Sequence, residues 1–193
     1  MAVLQDHRAS WQELHDAAEA NAAIPNYVLD WIRELYGVVV AIGIRRQADR
    51  SPDVVNLSRL IDAVARRPEL LTRTWFVAKY PTGMEAVAEA TFDDLAGPGR
   101  PHVDASSIRN DLAKLGHIAK KVKVYVDQHV AHAAATPTAN VPTYAELVSA
   151  SDAFDSLLRR YYLMIEGSSL LQTTPVKQYP FLRPLAVAWV PND

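Results

Sequence analysis

The sequence predicts an all-α fold, an up-and-down bundle of about five to six helices with an extended C-terminal tail. Three observations carry this reading. Apolar residues recur at spacings of three and four through windows long enough for several helical turns. Glycine is scarce, at 7 of 193 residues, and hydrophobic residues make up 49%, a composition that suits a helical globule. Proline clusters near the end of the chain, at Pro175, Pro180, Pro184 and Pro191, where it stops helices and favours extended backbone. The length fits one domain able to bury a core without staples. Residues 1–174 are read as that bundle and 175–193 as a Pro-rich tail.

The elements follow in order. Trp11, Leu14 and Ala18 place a first helix over about Gln5–Glu19, closed by Ile24-Pro-Asn26. From Tyr27 to about Gln47, Val28, Trp31, Ile32, Leu35, Val38, Val39 and Ile42 mark a long second helix. This pattern predicts a mostly buried helix, with Trp31 and Tyr36 in the core, and with Gly37 and Gly43 as weak points or places of close packing. Arg45 and Arg46 end it, where cations complement the helix dipole. Asn56 is positioned to cap a third helix carrying Leu57, Leu60, Ile61 and Val64, which Arg66-Arg-Pro68 ends. A short helix follows over about Glu69–Lys79. The stretch from Tyr80 to His102, punctuated by Pro81, Gly83, Gly97-Pro-Gly99 and Pro101, reads as irregular with one helical turn at most. Ser106 or Ser107 caps the next helix, whose apolar series from Ile108 to Val130 runs to about Ala133. Thr143 and Glu146 form a capping box that opens a long helix to about Ile165 or Leu170. In the tail, Leu185-Ala-Val-Ala-Trp189 has the composition of a strand.

Several function classes are excluded or narrowed. With 20 basic and 22 acidic residues the net charge is -2, so no global field draws the chain to nucleic acid and an RNA contact needs a local patch. The absence of cysteine removes disulfides, thiolate catalysis and cysteine metal sites. Met1-Ala-Val-Leu-Gln-Asp-His-Arg8 lacks the pattern of a signal peptide, and Val38-Val-Val-Ala-Ile-Gly-Ile44 is too short to span a bilayer. The expectation is a cytoplasmic protein with no membrane association. No glycine-rich phosphate loop and no Gly-x-Ser-x-Gly elbow occurs.

The densest candidate site is Val124-Tyr-Val-Asp-Gln-His-Val-Ala-His132, followed after a loop by Pro142-Thr-Tyr-Ala-Glu-Leu147. His129 and His132, three apart, share one face of a helix and are able to act on one target. Their alternative role is as satisfied core histidines. A metal site is not expected, since no third ligand stands at i+3 or i+4, and no cofactor is expected. Arg45, Arg46, Arg50, Arg59, Arg66, Arg67 and Arg73 form a locally positive stretch, either a solvated face paired with Asp49, Asp53 and Asp62 or a phosphate contact. Lys114, Lys120, Lys121 and Lys123 form a second such patch.

Arg45-Arg46 at the end of a buried helix, Val54-Val-Asn-Leu-Ser-Arg-Leu-Ile-Asp62, the histidine segment and the Pro142–Leu147 segment occur in an order that resembles the abortive-infection-like branch of the HEPN superfamily, over about residues 27 to 167. The resemblance implies an all-α bundle that cleaves RNA without metal, usually in a cleft between two protomers. In that family an arginine stabilises charge on the scissile phosphate and a histidine assists proton transfer at the 2'-hydroxyl. His132 matches the family histidine and Asp127 the polar position. Val126 occupies the arginine position, and a valine can neither hold a phosphate nor stabilise developing charge. Lys123, Arg109 or Arg159 are the cations available to replace it. The expectation is therefore phage-defence or toxin–antitoxin-type RNA metabolism with cleavage weakened or absent. The implied partners are RNA and a second protomer, met across the His132 helix and the capping-box helix. A non-catalytic module binding RNA, a protein partner or an antitoxin is the alternative, and a structural protein docking through its tail is a third.

Overall fold

The computed structural model describes residues 2–20, 26–132, 134–136, 140–177, 180 and 182–183. Seven α-helices and no strand occur among them: α1 (Ala2–Glu19), α2 (Asn26–Ala48), α3 (Leu57–Arg66), α4 (Arg73–Val77), α5 (Glu85–Ala96), α6 (Ala105–Tyr125) and α7 (Tyr144–Glu166). The fold is the all-α bundle that the periodicity predicts, with one helix more. The expected strand at 185–189 and most of the Pro-rich tail lie outside the described residues.

The core forms where α6 packs against α2, α3 and α7. Ile108, Leu112, Leu115, Ala119 and Val122 give α6 a buried stripe. Facing it are Val40, Ala41 and Ile44 of α2, Leu57 and Ile61 of α3, and Phe154 and Tyr161 of α7. The Tyr161 hydroxyl donates to Asp111 on α6 at 3.1 Å. Burial, then the nearby Asp111 carboxylate, push this phenol well above the usual tyrosine range. α1 lies over α2 and α7: Trp11 stacks on Tyr36 at 5.3 Å, Gln5 donates to the Ser151 carbonyl, and Arg8 pairs with Asp152. A side chain at Gly43 would press on the tip of Leu4, so this glycine marks a close approach of α1 to α2; Gly37 has open space around it.

Local sequence chemistry sets several helix ends. Asn56 caps α3 by accepting from the Arg59 amide at 3.0 Å. Its amide group also donates to the carbonyls of Arg46 and Asp49 at 2.7 and 2.8 Å, clamping the end of α2 to the start of α3. Thr143 and Glu146 form the expected reciprocal capping box. Lys121 of α6 reaches Glu146 as well, at 2.7 Å. These bonds from Lys121, then from Thr143, hold the Glu146 carboxyl down at about 2. Gly167 ends α7 in the left-handed region at φ 69°, the conformation that suits a glycine after a helix.

Four expectations need correction. The stretch 80–102 is not irregular: it holds the twelve-residue α5, whose Ala88, Phe92 and Leu95 are buried at spacings of four and three. Pro81, Gly83, Gly97 and Gly99 delimit this helix and do not interrupt it. The single helix expected over 69–79 is instead a 3-10 turn at Pro68–Leu70 followed by α4, which Thr72 caps. The cap of α6 is Asp104, which accepts from the Ser107 amide, and neither serine fills that role. Finally, α2 is not mostly buried. Tyr36 lies in the core as expected, but Trp31, Tyr27, Leu35 and Val39 are exposed.

Candidate functional site

The periodic stripe of α6 brings Val126 inward one turn after Val122, and Val126 is 3% exposed. From Val126 to Val130 the backbone leaves the α-helix and forms a π-helical turn. The Ala131 amide bonds to the Val126 carbonyl at 2.8 Å, an i→i+5 bond in place of i→i+4. Such turns are rare, arise where an extra residue is absorbed into a helix, and are frequent at functional sites. The helical register ends at Val130. His129 therefore sits on the turn, stacked on Tyr125 with centroids 5.3 Å apart, while His132 lies beyond it, exposed. The two histidines do not share a helix face as their spacing predicts, because the α-helix stops before either is reached.

The turn delivers Asp127 to the last turn of α2. Arg45 donates from Nε to Asp127 Oδ1 at 2.6 Å, and its guanidinium lies 3.7 Å from Asp49. Asp49 is itself held by Ser51, through its amide at 2.9 Å and its hydroxyl at 2.7 Å. Those two bonds, and after them the positive charges of Arg45 and Lys123, keep the Asp49 carboxyl below the usual range. Lys123 stands exposed one turn before Asp127. Arg46 is exposed and makes no ion pair among the described residues; it borders a depression of about 250 Å³ lined also by Gln47, Asp49, Val54, Val55 and Asn56. Arg45, Arg46, Lys123, Asp49 and Asp127 thus form one charged cluster, drawn from segments about 80 residues apart.

Other predicted cations fall elsewhere. Arg109 is near the start of α6, and at 1.5 Å per residue it lies on the order of 25 Å along the axis from Asp127. It cannot reach the cluster. Arg159 is held by Asp155 at 2.7 Å and by the Leu171 carbonyl at 2.6 Å. Much of the arginine-rich stretch is neutralised locally: Asp62 draws Arg66, Arg59 and Arg50 to 2.8, 3.5 and 3.9 Å, and Arg73 is gripped by Glu89 and Asp93 at 2.5 Å each. No group of three or more His, Asp or Glu positioned to hold a metal occurs among the described residues. No described helix is long and apolar enough to cross a membrane.

Chemically, the cluster offers two solvent-facing cations, Arg46 and Lys123, and one guanidinium already engaged by carboxylates. An anion can dock on the first two directly, and on Arg45 in competition with Asp127 and Asp49. Position 126 is a core position, so a longer charged side chain there would have to displace the α6 packing or carry its charge into it. Sequence reading singled out Arg45 and Asp127 without linking them, and it passed over Asp49 and Ser51 as site residues. No periodicity or motif joins those segments. Comparison with family models, with curated proteins and with solved structures finds no match to this chain.

Proposed function

We propose that this chain is a HEPN-like helical protein of a phage-defence or toxin–antitoxin type system, working in the cytoplasm, that binds RNA where the end of α2 meets the π-helical turn. The observation that carries this reading is the Arg45–Asp127 contact of 2.6 Å. It gathers Arg45, Arg46 and Lys123 around the segment whose residues resemble the family signature, against a chain of net charge -2. A local cation cluster on such a chain is the arrangement a phosphate backbone requires. The cluster offers Arg46 and Lys123 as phosphate contacts. Asp127 acts as an internal counter-ion, lowering the affinity of Arg45 for phosphate.

Metal-independent cleavage is the second reading, favoured by the exposure of His129 and His132, two and five residues after Asp127. In that reading Arg45 supplies the guanidinium missing at Val126 and His132 moves the proton of the 2'-hydroxyl. Loss of one such donor typically costs on the order of 10² to 10³ in rate, which sets the deficit that Arg45 must make good. Binding is the reading the geometry supports better, because Arg45 is already held by two carboxylates.

The test uses the purified chain with single-stranded RNA in EDTA, reading binding by gel shift and cleavage on a denaturing gel. Wild type is expected to shift RNA, with a weaker shift for Arg45→Ala and for Arg46→Ala. RNA cut by wild type and spared by His132→Ala would move the ribonuclease reading ahead. An absence of any shift, with no effect of either arginine, removes RNA as the ligand and leaves a protein partner or antitoxin.

A further inference from the structure

We infer that the outward face of α6, from Lys123 back to Arg109, is a track for single-stranded RNA with a nucleotide pocket at its side. This inference rests on the RNA reading above and carries it beyond the end of α2. The buried stripe of α6 leaves the rest of the helix to solvent, and Arg109, Lys114, His117, Lys120, Lys123 and Val124 are all exposed there. Arg109, Lys114, Lys120 and Lys123 enter no ion pair among the described residues. The arginines of α3 and α4, by contrast, are matched by Asp62, Glu89 and Asp93. Within α6 the one acidic residue is Asp111. It is turned to α7, where it accepts from Tyr161 and lies 3.5 Å from Arg160. Like charges three residues apart, as at Lys120 and Lys123, weaken a helix, so helix stability does not account for the row. Unmatched cations gathered on one helix of a chain with net charge -2 form a surface for a polyanion.

The class of polyanion follows from the placement of these groups. Arg109 and Lys120 stand three turns apart on one line of the helix, and Lys123 one turn on joins that line to the cluster with Arg46. From Arg109 to Lys123 the axis rises on the order of 20 Å, room for about six phosphates of a stacked strand at about 3.4 Å each. Beside the row lies a pocket of about 360 Å³ lined by His117, Lys120, Lys121, Val124 and Asn140. An unstacked nucleotide finds there a ring to stack on in His117, an apolar floor in Val124, an amide for a base edge in Asn140 and a cation for its phosphate. Lys121 is engaged by Glu146 at 2.7 Å, which makes Lys120 the phosphate partner. Carboxylates flank the track at both sides, Glu146 against Lys121 and Asp127 one turn beyond Lys123. A second backbone laid beside the first would meet them, and a base held inside a duplex cannot enter the pocket. The track therefore fits one strand with unpaired bases.

Fluorescence anisotropy on the full chain in EDTA tests this, with a labelled RNA strand and the same strand annealed to its complement. Wild type is expected to bind the single strand more tightly, although the duplex carries the denser charge. Lys114→Gln with Lys120→Gln should reduce the slope of log affinity against log salt by about 1.4, at about 0.7 for each contact. Arg33→Gln with Arg67→Gln, which removes the same charge from ion pairs with Asp30 and Glu69, should leave the slope unchanged. His117→Ala should weaken binding about fivefold or more at an unchanged slope. All five side chains are exposed, so each variant is expected to keep its helical circular dichroism. Tighter binding of the duplex, an unaltered slope in the lysine variant, or an equal loss in the arginine control overturns the track; binding that Arg46→Ala still weakens would then keep RNA at the end of α2 alone. Wild-type affinity in His117→Ala overturns the pocket. A wild-type chain that binds neither RNA overturns the RNA reading and the track together, and leaves this face to an acidic protein.

Discussion

Replacing Asp127 by asparagine separates the two roles open to this carboxylate. The side chains of Arg45 and Asp127 are 34% and 37% exposed, so their attraction is screened by water and the pair is worth about 0.2–1 kcal/mol. Asparagine keeps an oxygen facing Arg45 Nε and loses only the charge, so the urea midpoint should fall slightly, with an unchanged denaturant slope. Effects on RNA should be larger and opposite in sign. A phosphate docked on the free edge of the Arg45 guanidinium would stand roughly 7 Å from the Asp127 carboxylate. At an effective dielectric constant of about 40 to 80 their repulsion is about 0.6–1.2 kcal/mol, or about three- to eightfold in affinity. Fluorescence anisotropy with labelled single-stranded RNA in EDTA measures this. Asp127→Asn is expected to bind about three- to eightfold more tightly than wild type at low salt, and by a smaller factor at physiological salt, where the screening length is about 8 Å. Arg45→Ala should weaken binding and reduce the slope of log affinity against log salt by about 0.7, one phosphate contact on a single strand. A folded Asp127→Asn protein that binds RNA no better than wild type refutes the counter-ion role.

Other perturbations test the fold that holds the site. Thr143→Ala removes the hydroxyl that accepts from the Glu146 amide and should cost about 1 kcal/mol by urea denaturation; a loss below the error of the fit would count against the cap. Glu146 is held at about 2 in the folded chain, below its unfolded value of about 4.3. Its contribution is complete above that unfolded value and disappears as pH falls from there toward 2, so the gap in melting temperature between wild type and Glu146→Gln should close over that acid window. Phe92, 1% exposed between Phe76 and the Arg73 guanidinium, should cost about 3–5 kcal/mol as Phe92→Ala, and a loss under about 1 kcal/mol would mean that α5 does not pack as described. Tyr161→Phe removes the bond to Asp111 and should cost about 1 kcal/mol at neutral pH. Because the folded phenol titrates above its unfolded value, that stability is present below about pH 10 and lost above it; the variant should show less alkaline destabilisation, and equal alkaline loss would assign it elsewhere.

Much of the bundle was legible because its signals are local. A capping box needs only Thr143 and Glu146, three residues apart, and the structure contains it. Asn56 before an apolar stripe and the series Ile108 to Val122 are likewise patterns that a single helix displays. Where local signals conflict, the reading failed: proline and glycine around α5 outweighed the spacing of Ala88, Phe92 and Leu95, although those breakers mark its ends. The pattern of α2 showed apolar residues over much of the helix and could not show which of them a neighbour covers. Burial of Tyr36 and exposure of Trp31 depend on where α1 crosses, through Trp11 and the close approach at Gly43.

The candidate site divides along the same line. Its residue types, the histidines, the aspartate and the paired arginines, were visible in the chain. By itself the sequence determined that an all-α bundle would form and that Arg45 and Arg46 would stand at a helix end, since helix periodicity and helix ends are written over a few neighbouring positions. Only the tertiary structure decided that Arg45 meets Asp127 across 82 positions and that a π-helical turn replaces the α-helix from Val126 to Val130, short of His132. A π turn differs from an α turn by one residue of register, a difference that the order of residue types does not record.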